Sequence, residues 1–108
     1  MFATATALFL FAYPQISSAG TTTADFLKWE RNSQDAYLQN SISMAAVIAS
    51  QATPEIARCL DDWYFVDADT MKTRNAEVLD VMASYQEFKP QAVLLAIVED
   101  VCGRFDRP

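Results

Sequence analysis

The chain has 108 residues and a formal net charge of −6 at pH 7, and 52% of its residues are hydrophobic. This length allows one domain, and the hydrophobic content is too high for a disordered chain. The negative charge disfavours nucleic acids and anionic membrane surfaces as partners, whereas it is compatible with a basic protein partner.

The first 19 residues differ from the rest because none of them is charged. A short apolar run, Ala7–Tyr13, is followed by small residues at the two positions that a signal peptidase reads, the second being Ala19. This pattern predicts a secretory signal peptide over 1–19 and one mature domain over 20–108, and the run is shorter than the about 20 residues of a membrane span. Because no Lys or Arg precedes the run, a start inside a longer N-terminus and a buried N-terminal helix stay open as alternatives.

The only two cysteines, Cys59 and Cys102, are far apart in the sequence. A small exported domain has a marginal core and is commonly stabilised by disulfides, so we expect these two residues to be bonded. Closing such a long loop stabilises a fold by at most about 4 kcal/mol in the chain-entropy treatment. The alternative is two free thiols in a cytosolic core. The disulfide and the signal peptide together predict a periplasmic or secreted protein.

Few glycines and many Ala, Leu, Met, Gln and Glu residues favour helices over strands in the mature chain. Thr22 or Thr23 is suited to cap a first helix, with Asp25 in its first turn. Apolar residues then recur at helical steps from Leu38 to Ala52. Three more apolar residues widen that stripe: Met44, Val47 and Ile48. We therefore expect this stretch to be the most buried helix.

The next helix is predicted to begin after the N-cap residue Thr53, with Pro54 at its first position, and to end near Val66. Its inward stripe comprises Ile56, Leu60 and Trp63. Asp69 or Thr70 is suited to cap a fourth helix. The inward face of this fourth helix comprises Met71, Val78, Met82 and Tyr85.

Lys89 and Pro90 end the fourth helix and begin the last one, because the residue before a proline avoids the helical region. The inward face of the last helix comprises Leu94, Ile97, Val98 and Val101, and Gly103 follows its end. The predicted fold is therefore an all-α, compact bundle of four to five helices, stapled by a Cys59–Cys102 disulfide.

Four carboxylates cluster in and after the third helix: Asp61, Asp62, Asp67 and Asp69. Because the chain has no histidine and only two glycines, it lacks Ser-His-Asp systems and glycine-rich phosphate loops, which leaves carboxylates for acid–base chemistry. Their spacing lacks the remaining ligands and the turn glycine of a calcium loop. A solvated helix face is the simplest interpretation, and a surface that steers a basic partner is the alternative. We predict no catalytic residue, no metal site and no cofactor.

Three consecutive aromatic residues, Trp63, Tyr64 and Phe65, cannot all face one side of a helix. Trp63 continues the inward stripe, so Tyr64 or Phe65 is expected at the rim of the core. An aromatic ring beside acidic residues is suited to anchor a partner protein. Tyr64, Phe65 and the four aspartates therefore form the predicted partner-binding surface. The simpler alternative is two core aromatics and one half-exposed ring.

The start of the mature chain resembles HdeA-type small exported helical proteins. Residues 22–27 read TTADFL, which is similar to the T-C-x-D-F-L opening of that type, with Thr23 where the first cysteine stands. Thr53 and Pro54, followed by Cys59, are similar to the segment that carries the second cysteine of HdeA-type chains. Thr23 is a departure, because it cannot form the HdeA-type bond.

The later part of the chain resembles the Rap1a/Tai type of immunity protein. The shared order is Tyr37 near the start of a helix, Cys59, Pro90 and a last helix that ends at Cys102. Asn40 is a departure, because Rap1a-type chains usually carry glycine there.

Both resemblances imply a non-enzymatic periplasmic protein that binds other proteins. For the Rap1a/Tai type, the implied role is to neutralise a toxic effector delivered by a type VI secretion system, and this is our leading hypothesis. For the HdeA type, the implied role is that of an acid-activated holdase chaperone, which is the second hypothesis. A carboxylate-based hydrolase is a third. A homodimer is compatible with either binding role, and no stable membrane insertion is expected after signal cleavage.

Overall fold

The computed structural model describes residues 21–105, and all regular secondary structure within that range is helical. The helices are α1 (Thr23–Phe26), α2 (Arg31–Ala52), α3 (Pro54–Trp63), α4 (Ala68–Met82) and α5 (Pro90–Cys102). The predicted all-α bundle is confirmed. The predicted signal peptide over 1–19 lies outside the described residues.

The predicted disulfide is also confirmed. Cys59 in α3 is bonded to Cys102 at the end of α5, across 43 positions of sequence and with 5.6 Å between the two Cα atoms. This Cα distance lies in the usual range for a disulfide. The bond fixes the C-terminal end of α5 to α3, which packs mainly against the long helix α2.

The helix boundaries agree with local sequence signals in some places and differ in others. Thr22 caps α1 through a reciprocal capping box with Asp25, as the sequence predicts. Pro54 begins α3, but the Thr53 hydroxyl is buried and makes no cap hydrogen bond. Asp67 caps α4 by accepting a 2.7 Å hydrogen bond from the Thr70 backbone N–H, so the predicted caps Asp69 and Thr70 were wrong.

Because Asp67 already caps α4, α3 ends before the predicted Val66. Its last residue is Trp63, and Tyr64 forms its C-cap. Tyr64 keeps helical backbone angles and its N–H still donates to the Leu60 carbonyl, so the chain leaves the helical repeat of α3 only after Tyr64.

The short α1 holds the connection between α4 and α5 in place. The Thr23 N–H donates to the Phe88 carbonyl at 2.8 Å, and the Ala24 N–H donates to the Gln86 carbonyl at 3.0 Å. The Gln34 side-chain amide in turn donates to the Phe26 carbonyl at 3.1 Å. These bonds link α2 and α1 to the connection, and so they fix where Phe88 stands.

The core lies where α2, α3, α4 and α5 meet. Its fully buried side chains from these helices include Leu38, Ile42, Leu60, Val78 and Met82. Other residues that the sequence places inward are exposed: Met44, Val47, Ile48, Tyr85 and Val101. The prediction that these five are buried was wrong, because α2, α4 and α5 are each covered by neighbouring helices on one side only. Within 21–105, no helix is long and apolar enough to cross a membrane.

Candidate protein-binding groove

An open groove of about 560 Å³ runs between α4 and α5, and we call it the α4–α5 groove. Helix α5 is uncharged from Pro90 to Val98, so it is apolar on most of its surface. A helix that is apolar all round needs cover on every side, and the bundle covers only part of α5. Six apolar residues form most of the groove walls: Val81, Tyr85, Phe88, Val93, Ile97 and Val101.

The apolar walls of the groove are open to solvent. Val81, Tyr85, Phe88 and Val101 are between 41% and 50% exposed. The Tyr85 and Phe88 rings contact each other, with 6.1 Å between their centroids. Exposed apolar residues that are scattered singly need no explanation, but a contiguous apolar groove is typical of an interaction site.

The groove has an acidic end. Because a short connection joins α4 to α5, the two helices run antiparallel, and the end opposite the connection contains Glu77, Asp100 and Trp63. Glu77 is bound by Arg74, whose Nη1 lies 3.2 Å from the Glu77 carboxylate. Tyr85 and Phe88 form the other end, so the groove runs from an aromatic end to an acidic end.

Arg74 also fixes the position of Trp63. Its Nε donates to the Trp63 carbonyl at 2.8 Å, and its guanidinium lies 5.6 Å from the centroid of the Trp63 ring. This distance allows a cation–π interaction. The side chain of Trp63 is partly buried: it packs against the edge of the core and also lines the groove.

The four aspartates predicted to contact a partner are all exposed: Asp61, Asp62, Asp67 and Asp69. They flank Trp63 in the sequence, and Asp69 lies in the first turn of α4, the helix that carries Glu77. The hydrogen bond from the Thr70 backbone lowers the pKa of Asp67 below its usual value. In the described part of the chain, no three carboxylate or cysteine side chains form a group that could hold a metal ion.

Tyr64 does not lie at the surface, so its prediction as a partner-contacting residue was wrong. Its side chain is fully buried, and its hydroxyl donates to Asn75 Oδ1 at 2.8 Å. The Asn75 side-chain N–H donates to Asp35 at 3.2 Å, and Arg31 Nε donates to the same Asp35 oxygen at 2.9 Å. Burial raises the pKa of Tyr64, with a further increase from the Asp35 charge and an opposing effect of the Asn75 hydrogen bond.

The burial of Tyr64 follows the helical spacing of α3. Tyr64 lies four residues after Leu60 and eight after Ile56, and its N–H donates to the Leu60 carbonyl at 2.8 Å, so its side chain continues the buried stripe that these two residues form. Phe65 is partly buried, and its ring meets the Tyr64 ring edge-on at 4.8 Å. Trp63, which the sequence places in the core, is the aromatic residue of this trio that lines the groove.

Sequence reasoning did not identify the residues that define the groove. Glu77 and Asp100 carry its charge, and Val81 and Phe88 form its exposed apolar walls. The sequence did contain one signal for the groove. A helix with one buried face usually carries charged residues on its other side, and α5 carries none from Pro90 to Val98.

Comparison of the chain with protein-family models, with curated proteins and with solved structures finds no match.

Proposed function

We propose that the protein is an exported, non-enzymatic binding module that holds the amphipathic helix of a basic protein partner in the α4–α5 groove. The observation that carries this proposal is the combination of an open apolar groove with carboxylates at one end. Amphipathic helices are commonly recognised by their apolar face in grooves of this kind.

The size of the groove suits a helical segment. Helix α5 has 13 residues, which corresponds to a length of about 20 Å. A helix of similar length presents apolar residues at positions i, i+3, i+4 and i+7 along one face. Trp63, Tyr85 and Phe88 supply aromatic surface along the groove, which is the residue class that dominates binding energy in protein interfaces.

The charge of the groove favours a basic partner. Glu77 and Asp100 lie at the acidic end, and the exposed aspartates beside Trp63 extend the negative surface around it. Complementary charges at the edge of an interface speed association and select partners more than they add affinity. We therefore expect lysine or arginine at one end of the partner helix and a binding rate that falls with added salt.

The disulfide supports an exported location, because disulfides persist in oxidising compartments such as the periplasm. In the sharper form of the proposal, the partner is a toxic effector and the protein is its immunity factor, as the Rap1a/Tai resemblance implies. The partner then delivers the basic helix, and occupation of that helix neutralises it.

A synthetic peptide tests the groove directly. The probe is a fluorescein-labelled 16-residue helix with leucines at i, i+3, i+4 and i+7 and three arginines at one end. We expect saturable binding by fluorescence anisotropy, and we expect Val81→Glu to weaken binding at least about tenfold because it places a charge on the apolar wall. The double variant Glu77→Gln/Asp100→Asn should weaken binding by about three- to tenfold at low salt.

Two controls make this result specific. A peptide with the same leucines and three glutamates should bind more weakly than the arginine peptide, and the protein variant Gln39→Glu, on the exposed side of α2, should bind like wild type. Equal binding of both peptides, or binding unaffected by Val81→Glu, contradicts the proposal. A second experiment uses periplasmic extract at pH 7. Capture of a partner protein by wild type should be lost with Val81→Glu and reduced with Asp61→Asn/Asp62→Asn.

The acid-activated holdase is a second candidate, favoured by the position of Asp67. Its lowered pKa means that ionised Asp67 stabilises the fold above its ordinary pKa, and this contribution disappears as the pH falls through the lowered pKa. Acid therefore weakens the cap of α4, the helix that forms one wall of the groove. Suppression of client aggregation at pH 2–3, together with binding of a hydrophobic dye, supports this candidate, and client aggregation at the same rate as without the protein contradicts it.

A further inference from the structure

Helix α2 carries a second exposed apolar surface, on a stretch of chain that lacks charge. Residues 36–54 contain no Asp, Glu, Lys or Arg, although 20% of the whole chain is charged. Met44, Val47 and Ile48 on this stretch are between 51% and 60% exposed, and Leu95 of α5 is 49% exposed. We call these four residues the α2–α5 face.

The four residues form part of one surface rather than isolated spots. A shallow groove of about 340 Å³ lies between α2 and α5, and its lining includes Met44, Ile48 and Leu95. No residue that lines it has an ionisable carboxylate, ammonium or guanidinium group. This face therefore has no charge with which to recognise a charged partner.

The exposed residues of α2 follow the spacing of a helix–helix seam. Asn40, Met44, Val47 and Gln51 are all exposed, and their separations of four, three and four residues are those of heptad positions that face a partner helix. Uncharged polar residues stand at both ends of this seam and apolar ones at its centre. A seam of this kind fits a second uncharged helix.

We propose that the α2–α5 face binds the same face of a second copy of this chain, with the two α2 helices antiparallel about a twofold axis near Met44 and Val47. A net charge of −6 makes two copies repel each other over most of their surface, and the α2–α5 face is where that repulsion is weakest. A twofold contact places each residue of the face against the same face of the partner, so apolar side chains meet apolar side chains.

The available surface suits a weak dimer. Helix α2 has 22 residues, which corresponds to a length of about 33 Å, and a helix with its side chains is about 10 Å wide. The projected face of α2 is then on the order of 300 Å² per copy, to which Leu95 of α5 adds. This area lies below the roughly 800 Å² that a stable interface buries on each side, so we expect dissociation in the micromolar range rather than a permanent dimer.

This interface does not depend on the proposed function, because the two grooves lie on opposite sides of α5. Ala92, Ala96 and Asp100 follow one another at four-residue steps on the side of the α4–α5 groove. Gln91, Leu95 and Val98 lie on the side of the α2–α5 face. A dimer through α2 therefore leaves both α4–α5 grooves open.

The oligomeric state of the oxidised full chain tests the proposal. Sedimentation equilibrium at 1–100 µM and pH 7 should give twice the mass of one chain at the upper concentrations. Met44→Glu and Ile48→Glu should each weaken dimerisation at least about 100-fold, since two glutamates then meet without counter-charges across the twofold axis. Gln39→Glu adds the same charge to another exposed side of α2 and should change the dissociation constant less than about threefold.

Each outcome decides the proposal. Far-ultraviolet circular dichroism establishes that the variants keep the helical fold, and Met44 is the more exposed of the two positions, so at least one variant is interpretable. A wild-type chain that is monomeric at 100 µM overturns the proposal, as does a dimer that persists in both glutamate variants. Flotation of the monomer with uncharged phosphatidylcholine vesicles instead assigns the face to lipid. Unchanged peptide binding by Met44→Glu shows that the proposed function stands apart from this result.

Discussion

The two sides of α5 are alike in shape and different in charge. Each forms an open apolar groove with a neighbouring helix, about 560 Å³ with α4 and about 340 Å³ with α2. The α4–α5 groove contains Glu77 and Asp100, whereas the α2–α5 groove contains no charged residue. One helix thus presents two surfaces with different requirements.

This difference indicates which partner each surface accepts. An apolar surface with charges at one end discriminates by complementary charge, so it suits a partner of the opposite sign. An apolar surface without charge discriminates by shape, and in an acidic chain it is the place where another acidic chain can approach. The two proposals differ accordingly: a basic partner on one side of α5 and a second copy of the chain on the other.

Removal of the disulfide should have the largest effect. The bond holds only the C-terminal end of α5, which lies at the acidic end of the α4–α5 groove. Cys59→Ser/Cys102→Ser should lower the free energy of unfolding by about 2–4 kcal/mol, measured by urea melts of the oxidised wild type and the variant. The loss should be concentrated at the acidic end of the α4–α5 groove, where Asp100 and Val101 adjoin the bond. Faster hydrogen exchange at 99–102 than at 93–95 would establish this, and equal urea midpoints contradict the prediction.

The buried Tyr64 provides the next test, because its hydrogen bond fixes α4, which forms a wall of one groove only. Tyr64→Phe leaves the buried Asn75 Oδ1 without its donor and should cost about 1–3 kcal/mol of folding free energy. Tyr85→Phe is the matched control, since Tyr85 is half exposed, and it should change stability by less than about 0.5 kcal/mol. Thermal melts of both variants measure these changes in stability. Equal losses of stability in the two variants contradict the structural role of Tyr64.

Two glutamate substitutions, one on each surface of α5 and its neighbours, test whether peptide binding and dimerisation are independent. Val81→Glu and Met44→Glu should each change folding stability by less than about 0.5 kcal/mol, because both positions are exposed. Val81→Glu should abolish most peptide binding and leave the dimer, whereas Met44→Glu should do the reverse. Fluorescence anisotropy measures peptide binding and sedimentation equilibrium measures dimerisation, both on the same preparations. Loss of both properties in either variant shows that the two surfaces are coupled and breaks the comparison.

The cap of α4 provides the smallest test. Asp67→Ala should lower the melting temperature slightly at pH 7, because the Thr70 N–H loses its acceptor. The difference from wild type should shrink as the pH falls through the lowered pKa of Asp67, because the protonated carboxyl no longer favours folding through its charge. Asp69→Ala is the control, because Asp69 lies two residues further on, in the first turn of α4, and is not the cap. A difference that is constant from pH 7 to pH 2 contradicts the prediction.

Much of the fold was predictable because its signals are local. Pro54 and Pro90 begin α3 and α5 as expected, since a proline without an N–H fits the first turn of a helix. With only two cysteines in the chain, the disulfide pairing followed once oxidation was assumed. The all-α class followed from composition and from spacing at three and four residues.

The candidate site was less predictable, although its acidic character was visible. The exposed aspartates beside Trp63 were expected, but Trp63 was predicted in the core, Tyr64 or Phe65 at its rim, and both of the latter as partner-contacting residues. The structure buries Tyr64 fully and leaves Trp63 and Phe65 partly buried against the core. Trp63 lies three residues and Tyr64 four residues after Leu60, so helical spacing allows either ring to face inward, and packing beside α4 decides for Tyr64, whose hydroxyl donates to Asn75.

The sequence by itself therefore determined the helices, the disulfide and the lack of charge over 90–98 of α5 and over 36–52 of α2. Only the tertiary structure decided which apolar faces stay open. Helical periodicity states which side chains share a face, but it does not state whether another helix covers that face. Met44, Val47 and Ile48 share an apolar face of α2, yet no helix within 21–105 covers it, because α2 packs mainly against α3 and to a smaller extent against α4.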